Sequence, residues 1–406
     1  MRKKLAVAFI FLTLLTVSVT AQTFVLHGTI TDSATGRPIA SASVFLSNTS
    51  IGTSANANGE FTLGHVPQGR FDLVVSSLGY QTYIQSVTPE KMQQGLRIVL
   101  SPKANELAAV VVGTYEKDGW QKWGKAFNDN FIGTSFFATL CTIKNQDVIK
   151  FRYSKRRQLL EAFADEPIVV ENRALGYIVH YKLENFSFDY KTHSLYYVGF
   201  PLFEEMDGNA RKQKKWKERR LDAYYGSTMH FMRCLYVNKL AESGYEIRRL
   251  EKIPNTEKKR IQALYMYYVN PDHSEEEFEA NLPVDTLKYY KRILDQPDER
   301  QILHTELLRG DSVAYAQDSV TAVFSFTNYL MITYKNKKVP IEYVNQALPP
   351  ADPHDFLTSQ VTLLNGRPIY VLYNGTYYEP LDMLLLGYWG WSEKIGSMLP
   401  FDYWPK

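Results

Sequence analysis

Between Thr23 and Pro102 turn residues cut the chain into pieces too short for a helix. Residues 24–30 read as a strand. Asp32-Ser33-Ala34-Thr35-Gly36-Arg37-Pro38 follows as a turn: Asp and Thr bond local backbone, Gly takes positive φ, and Pro cannot donate to a ladder. Ala42-Ser43-Val44-Phe45-Leu46 alternates with the strand period. Asn58-Gly59, a strong hairpin signal, stands before Glu60-Phe61-Thr62-Leu63. Pro67-Gln68-Gly69 turns the chain into Phe71-Asp72-Leu73-Val74-Val75, and Leu78-Gly79-Tyr80 bends it again. Thr82-Tyr83-Ile84 and Leu96-Arg97-Ile98-Val99-Leu100 complete about seven short strands at turn spacing, the pattern of a β-sandwich.

The motifs in this stretch form an ordered set. Gly28-Thr29-Ile30-Thr31-Asp32, Thr35-Gly36-Arg37-Pro38-Ile39, Ala42-Ser43-Val44, Thr53, Asn58-Gly59-Glu60-Phe61, Pro67-Gln68-Gly69 and Leu78-Gly79-Tyr80 succeed one another. Together they resemble the carboxypeptidase regulatory-like domain, a transthyretin-like sandwich. The resemblance implies an accessory module, found beside peptidases and at the amino terminus of TonB-dependent outer-membrane receptors; it implies no peptidase activity. The loop Asn56-Ala57-Asn58-Gly59 lacks the converging carboxylates of a calcium site, and turn chemistry accounts for it.

Ahead of this unit, Arg2, Lys3 and Lys4 precede an uncharged apolar run from Leu5 to Val19. Val19-Thr20-Ala21 then places short residues where a signal peptidase reads. Residues 1–21 are therefore expected to be a secretory signal, with cleavage after Ala21; an uncleaved anchor is the alternative. Gln22, not Cys, would follow the cut, which argues against a lipid anchor there. Of later stretches, Leu381 to Trp391 comes nearest to a span, but Asp382, Gly387 and Gly390 interrupt it. Losing Arg2, Lys3 and Lys4 would cancel the formal charge of +3, so no global field draws the chain to nucleic acid. The two cysteines, Cys141 and Cys234, sit in apolar company and read as buried thiols, a single bridge being the alternative.

Residues 103–118 read as a linker. Its Val-rich part, residues 105–114, is similar to the segment joining this domain to the plug of TonB-dependent receptors. A linker strand packed on the next domain explains it as well, and strand addition to a partner is the other use. Residues 119–406 mix periods, which predicts a larger α+β domain. A helix is expected over 120–132 and strands over 147–153, 175–181, 186–190 and 195–198. Leu221, Tyr224, Tyr225, Thr228, Phe231, Met232 and Leu235 recur at three and four, predicting one amphipathic helix over 218–242 that stops at Gly244. A short helix over 285–294 follows, then strands over 320–334 and 361–378, with Asn365-Gly366 and Asn374-Gly375 as hairpin turns. Phe131-Ile132-Gly133-Thr134-Ser135, Cys141-Thr142-Ile143-Lys144-Asn145, Ala174-Leu175-Gly176-Tyr177, Tyr225-Gly226-Ser227-Thr228-Met229-His230-Phe231 and Leu399-Pro400-Phe401-Asp402-Tyr403 resemble the C-terminal region of exported proteins with the same first domain. That resemblance brings no activity.

Chemistry-bearing motifs are sparse. His273-Ser274-Glu275-Glu276 has the His-x-x-Glu spacing of zinc carboxypeptidases, but it lies in an acidic run, and neither His304 nor His354 supplies a recognisable third ligand. Ser227 resembles half of a nucleophile elbow, yet Met229 stands where the second Gly belongs, and the residue falls within a helical pattern. His230 would share its helix face, where core hydrogen bonding is the commoner use. The sharpest charge feature is Arg211-Lys212-Gln213-Lys214-Lys215-Trp216-Lys217-Glu218-Arg219-Arg220. Arg211, Lys212, Lys214, Lys215, Trp216 and Lys217 form a candidate patch for anionic headgroups, acidic glycans or a partner; a solvated approach to the helix is the alternative. Trp389 and Trp391 are candidates for a glycan platform or for core. No Walker loop, dinucleotide fingerprint, Cys-x-x-Cys or HExxH occurs.

The expectation is thus a multidomain chain, an all-β transthyretin-like sandwich at 23–102 followed by an α+β domain at 119–406. It is expected to work as a non-enzymatic, exported envelope protein of a Gram-negative periplasm or outer membrane that binds an envelope protein or glycan. No catalytic residue, cofactor, metal or nucleic-acid partner is expected. An exported hydrolase with a site assembled from distant residues, and a TonB-linked accessory, are the alternatives.

Overall fold

A computed structural model describes residues 23–67, 69–88, 95–103, 115–269, 274–347, 351–378 and 380–405. The leader-like segment, the Val-rich junction 105–114 and His273 lie outside the described residues. The chain is multidomain: an all-β sandwich followed by a larger α+β region. Two compact units form. The first holds the described residues to Asn130, Leu140–Lys217 and the segment from Leu399 on; the second holds Phe131–Thr139 and Glu218–Met398.

In the first unit seven strands build the sandwich: β1 Thr23–Asp32, β2 Ser43–Leu46, β3 Gly52–Ser54, β4 Glu60–Pro67, β5 Phe71–Ser76, β6 Tyr83–Val87 and β7 Leu96–Leu100. One sheet runs β4-β1-β7, with β7 parallel to β1, and the other runs β3-β2-β5-β6. The alternating residues point inward as the period demands. Leu26, Ile30, Val44, Leu46, Phe61, Leu63, Leu73 and Val75 make the core between the sheets. Gly59 turns into β4 at φ +73°, where a Cβ would stand 2.5 Å from the Ile30 carbonyl oxygen. Gly59→Ala is therefore expected to cost about 2 kcal/mol or more, read as a lower unfolding midpoint.

The same unit contains helix α1, Gly119–Phe131, and strands β8 Cys141–Ile143, β9 Ile149–Ser154, β10 Leu159–Ala164, β11 Ile168–Asn172, β12 Tyr177–Asp189 and β13 Ser194–Glu205. Long β12 takes β11 and then β10 along one edge and β13 along the other. Helix α1 forms where the sequence predicts it, because Trp120, Trp123 and Phe127 share a face. Phe127 packs on Phe186 and Phe151, with ring centroids 4.8 and 5.7 Å away, and Trp123 on Tyr153 at 4.5 Å. The sandwich joins this sheet through the β2–β3 turn: Asn48 donates its amide to the Pro201 carbonyl, and Phe203 donates to that of Thr49.

Helix α2 runs Ala210–Tyr224 and α3 runs Thr228–Tyr236. The single helix expected over 218–242 is thus two, and the first begins inside the basic run. Gly226 breaks the period at φ +89°, packed so closely on Leu357 that a Cβ would lie 2.6 Å from its side chain. Ser227 then caps α3 by accepting the His230 amide proton at 3.2 Å.

The second unit has a five-stranded sheet ordered β15-β14-β18-β19-β22 and a four-stranded one ordered β16-β17-β20-β21. Their strands are β14 Tyr245–Pro254, β15 Glu299–Leu303, β16 Ala314–Ala316, β17 Thr321–Phe324, β18 Tyr329–Lys338, β19 Phe356–Leu363, β20 Ile369–Leu372, β21 Tyr377–Tyr378 and β22 Met383–Gly387. Phe231, Met232 and Leu235 of α3 share a core with Ile247, Phe324, Ile332, Val361, Val371 and Trp389. Between β14 and β15 stand helices α4 Thr256–Tyr268, α5 Glu275–Ala280 and α6 Val284–Leu294, of which α6 alone was expected. Helices α7, Ile341–Val344, and α8, Tyr388–Ser392, border the site described below. Asn374-Gly375 makes the β20–β21 hairpin as expected. Asn365-Gly366 does not join a hairpin: both residues take positive φ, but the strands they connect, β19 and β20, lie in different sheets.

Candidate functional site

Four segments of the second unit meet around an open pocket of about 80 Å³. Helix α8 contributes Tyr388, Trp391 and, at its end, Glu393. The close of α2 contributes Asp222 and Tyr225, the stretch from β18 into α7 contributes Lys337 and Glu342, and the loop before β8 contributes Phe136 and Phe137. On one turn of α8 the spacing of three residues sets Tyr388 and Trp391 side by side, centroids 5.8 Å apart. Tyr343 braces both, at 5.6 and 5.4 Å. The Trp391 indole N–H is held by Thr134 Oγ1 at 3.0 Å, which fixes the ring.

The charges are distributed among these aromatics. Lys337 donates to the Asp222 carboxylate at 2.5 Å and to its carbonyl at 2.7 Å, so those two charges cancel locally. Glu393 accepts from the Thr228 amide at 3.0 Å and hydroxyl at 2.8 Å, at the start of α3. Burial nevertheless pushes its carboxyl above the usual range, against Thr228 and Lys394, which favour the anion. Burial also raises the Tyr388 phenol, and the charges of Glu393, Asp222 and Glu342 push the same way.

Trp389 and Trp391, paired in the sequence reading, part company. Trp389 is buried core, its indole N–H donated to the Gly226 carbonyl at 2.7 Å, while Trp391 lines the pocket. Ser227 and His230 form no nucleophile–base pair. The Ser227 hydroxyl donates to the Tyr224 carbonyl at 2.7 Å, and His230 Nδ1 lies 2.9 Å from the Tyr245 hydroxyl. Of the His-x-x-Glu motif, the described part is an exposed helix start: Ser274 and Glu277 form a capping box for α5. No group of three His, Cys, Asp or Glu among the described residues is placed to hold a metal ion. Cys141 and Cys234 both remain thiols, and burial pushes Cys141 up to about 12.

The basic run is the first part of α2. Arg211, Lys212, Lys214, Lys215 and Lys217 are exposed, and none forms an ion pair among the described residues. Trp216 departs from the patch expected for it. It is 5% exposed, donates its indole N–H to the Arg173 carbonyl at 3.1 Å, and lies against Gly176 and Gly208.

At the other end of the first unit, Asp32 ties separate sequence motifs together. Its carboxylate accepts the amides of Ala34 and Thr35 at 2.6 and 2.9 Å and the Tyr80 hydroxyl at 2.7 Å. The Tyr80 bond, first, holds the carboxyl below its usual range. The family model of the CarboxypepD_reg-like domain matches residues 26–112. The sandwich is a carboxypeptidase regulatory-like domain. In this CarboxypepD_reg-like domain the Asn56 side chain accepts the amides of Asn58 and Glu60, so the loop is closed by its own backbone. No curated protein sequence matches the chain. Solved structures similar to it include 3-chlorocatechol 1,2-dioxygenase from Rhodococcus opacus 1CP, at 12% identity over 21% of this chain and 62% of that one, TM-score 0.18. Catechol 1,2-dioxygenase from Acinetobacter sp. ADP1 has 12% identity over 24% and 59%, TM-score 0.18. A 9R-lipoxygenase from Cyanothece PCC8801 has 10% identity over 53% and 49%, TM-score 0.18. The chain spans less than two thirds of each, and at these scores the likenesses carry no argument.

Sequence reasoning found Trp391 but missed Tyr388, Asp222, Glu342 and Glu393. The signal present was Tyr388-Trp389-Gly390-Trp391: read at helical rather than strand spacing, it pairs Tyr388 with Trp391 and sends Trp389 inward.

Proposed function

We propose that this chain is an exported, non-enzymatic binding protein of the cell envelope, periplasmic or associated with the outer membrane. In this reading the CarboxypepD_reg-like domain is an accessory scaffold and residues 119–406 carry the binding surfaces. The observation that carries it is the pocket, where Tyr388, Trp391, Tyr225 and Phe136 line an open hollow. Its volume is far below the roughly 300–1,000 Å³ of sites that engulf a whole small molecule, which suits recognition of one exposed group of a larger partner or glycan. The exposed cations of α2 are assigned to contact with an acidic envelope polymer or partner. No described helix is long and apolar enough to cross a membrane, and the reading needs none.

The test is a titration of the full chain with envelope glycan fractions and peptides, followed by tryptophan fluorescence and, in parallel, by mass spectrometry of the ligand. Saturable binding that Trp391→Ala abolishes, with the ligand recovered intact, is the expected result. Turnover that disappears in Glu393→Gln would replace this reading with a hydrolase.

A further inference from the structure

One end of the large sheet in the first unit gathers basic side chains. Leu159 pairs with Ser154 of β9 and with Asp189 of β12, and the Tyr190 amide donates to the Gln158 carbonyl at 2.9 Å. The β9–β10 turn, 155–158, and the β12–β13 turn, 190–193, therefore lie side by side. They carry Lys155, Arg156, Arg157 and Lys191, all exposed. The carboxylates at the strand ends answer only part of this charge. Asp189 accepts the Lys191 and Thr192 amides at 2.8 and 3.0 Å; the Thr192 bond first, and the Lys191 charge last, hold its carboxyl below the usual range. Glu161 lies 3.8 Å from Arg157, and Lys155 and Arg156 form no ion pair among the described residues.

Rings behind the turns brace them. Tyr153 and Tyr190 meet at 6.1 Å, Tyr190 meets Phe188 edge-on at 4.8 Å, and Trp123 packs on Tyr153. The first two pairs cross at 85° and 82°, so they share no flat face on which a sugar chain would stack. Every residue of 155–158 and 191–194 is exposed, which makes this end a ridge and not a groove. A braced ridge of cations suits a broad plane of anions better than a single polymer thread. We infer that this end of the sheet docks on an anionic lipid surface, with Lys155, Arg156, Arg157 and Lys191 at the level of the headgroup phosphates. The contact is electrostatic and inserts no segment, since the exposed turn residues are polar. It is separate from the pocket and from the α2 cations: α2 follows the far end of β13, where Glu205 pairs with Tyr177.

The experiment sediments the exported full chain with vesicles of phosphatidylcholine alone, or of phosphatidylcholine and phosphatidylglycerol in equal parts. Preference for the anionic vesicles is expected, and added salt is expected to weaken it. A basic residue at an anionic surface contributes about fivefold in affinity, so Lys155→Gln combined with Arg156→Gln is expected to weaken binding about twentyfold. Adding Lys191→Gln, from the other turn, is expected to weaken it further, while Lys155→Arg, which keeps the charge, binds as wild type. Unchanged urea midpoints in these variants separate lost binding from lost fold. Equal binding to both vesicles overturns the inference. So does anionic binding that the turn variants leave intact but Lys212→Gln with Lys214→Gln removes, and so does capture of soluble polyphosphate by a chain that leaves the vesicles unbound. Each of these outcomes leaves the pocket titration untouched.

Discussion

Trp216→Ala is expected to destabilise the first unit by about 3–5 kcal/mol, the largest effect of any single change in α2. The ring fills a slot floored by two glycines. A Cβ on Gly176 would stand 2.3 Å from it, and one on Gly208 2.6 Å. Nothing smaller can close that slot, and truncation also strands the Arg173 carbonyl that the indole N–H now satisfies. The neighbouring cations behave oppositely. They sit at the N-terminal, positive end of the helix, which has no acidic residue in its first turn. Lys212→Gln, in the first turn, is therefore expected to raise stability to urea by about 0.3–1 kcal/mol, and Lys214→Gln, past that turn, to leave it unchanged. A Trp216→Ala protein that unfolds at the wild-type midpoint would show that the ring is no anchor. A Lys→Gln series that unfolds progressively earlier would show that the charges hold the fold. The expected outcome separates two properties that one run of sequence carries: an anchor that fixes the helix, and charges whose placement costs stability and so calls for another purpose.

The sequence made the sandwich legible because its turns are chemically explicit. Asp32, Gly59 and the Asn56 loop each solve a backbone problem that only a few residue types can solve, so the strands between them follow. Helix α1 was legible from Trp120, Trp123 and Phe127. The helical region from 210 to 236 was not, because its apolar spacing continues smoothly across a break. Gly226 is needed there by contact with Leu357 and Tyr334, residues more than a hundred positions away. Acidic α5 was hidden by charge: an exposed helix held by its capping box shows little apolar period. Asn365-Gly366 has the backbone of a tight turn, but a turn specifies local direction and not the sheet its strands join. The pocket was the least legible element. Asp222, Glu342 and Glu393 are ordinary surface letters until α2, α7 and α8 bring them to the lining of one pocket.

Acidification is expected to weaken the second unit through His230. The ring is 7% exposed, and tyrosines crowd it: Tyr224, Tyr225, Tyr245 and Tyr334, with centroids 5.0–5.5 Å away. Its Nδ1 accepts from the Tyr245 hydroxyl, and the Gly226 amide also points at it, so this nitrogen is engaged as an acceptor in the neutral ring. Burial first, and the Arg233 guanidinium second, lower its pKa to about 4 from 6.5. The sign follows directly. Above pH 6.5 both folded and unfolded chains carry neutral imidazole, and the full stability is present. As pH falls below 6.5 the unfolded chain takes up a proton that the folded one refuses, so stability declines until about pH 4, where the folded ring also protonates and this contribution levels off. The difference corresponds to about 3 kcal/mol over that window. Carboxylates titrate in the same range, so the test is a comparison. Urea unfolding of wild type and His230→Gln between pH 7.5 and 4.5, read from the second unit's tryptophans, is expected to give curves that converge as pH falls, because Gln has no proton to take up. Parallel curves would mean that the ring titrates in place, and that the Tyr245 bond and the tyrosine cage do not exclude the charge.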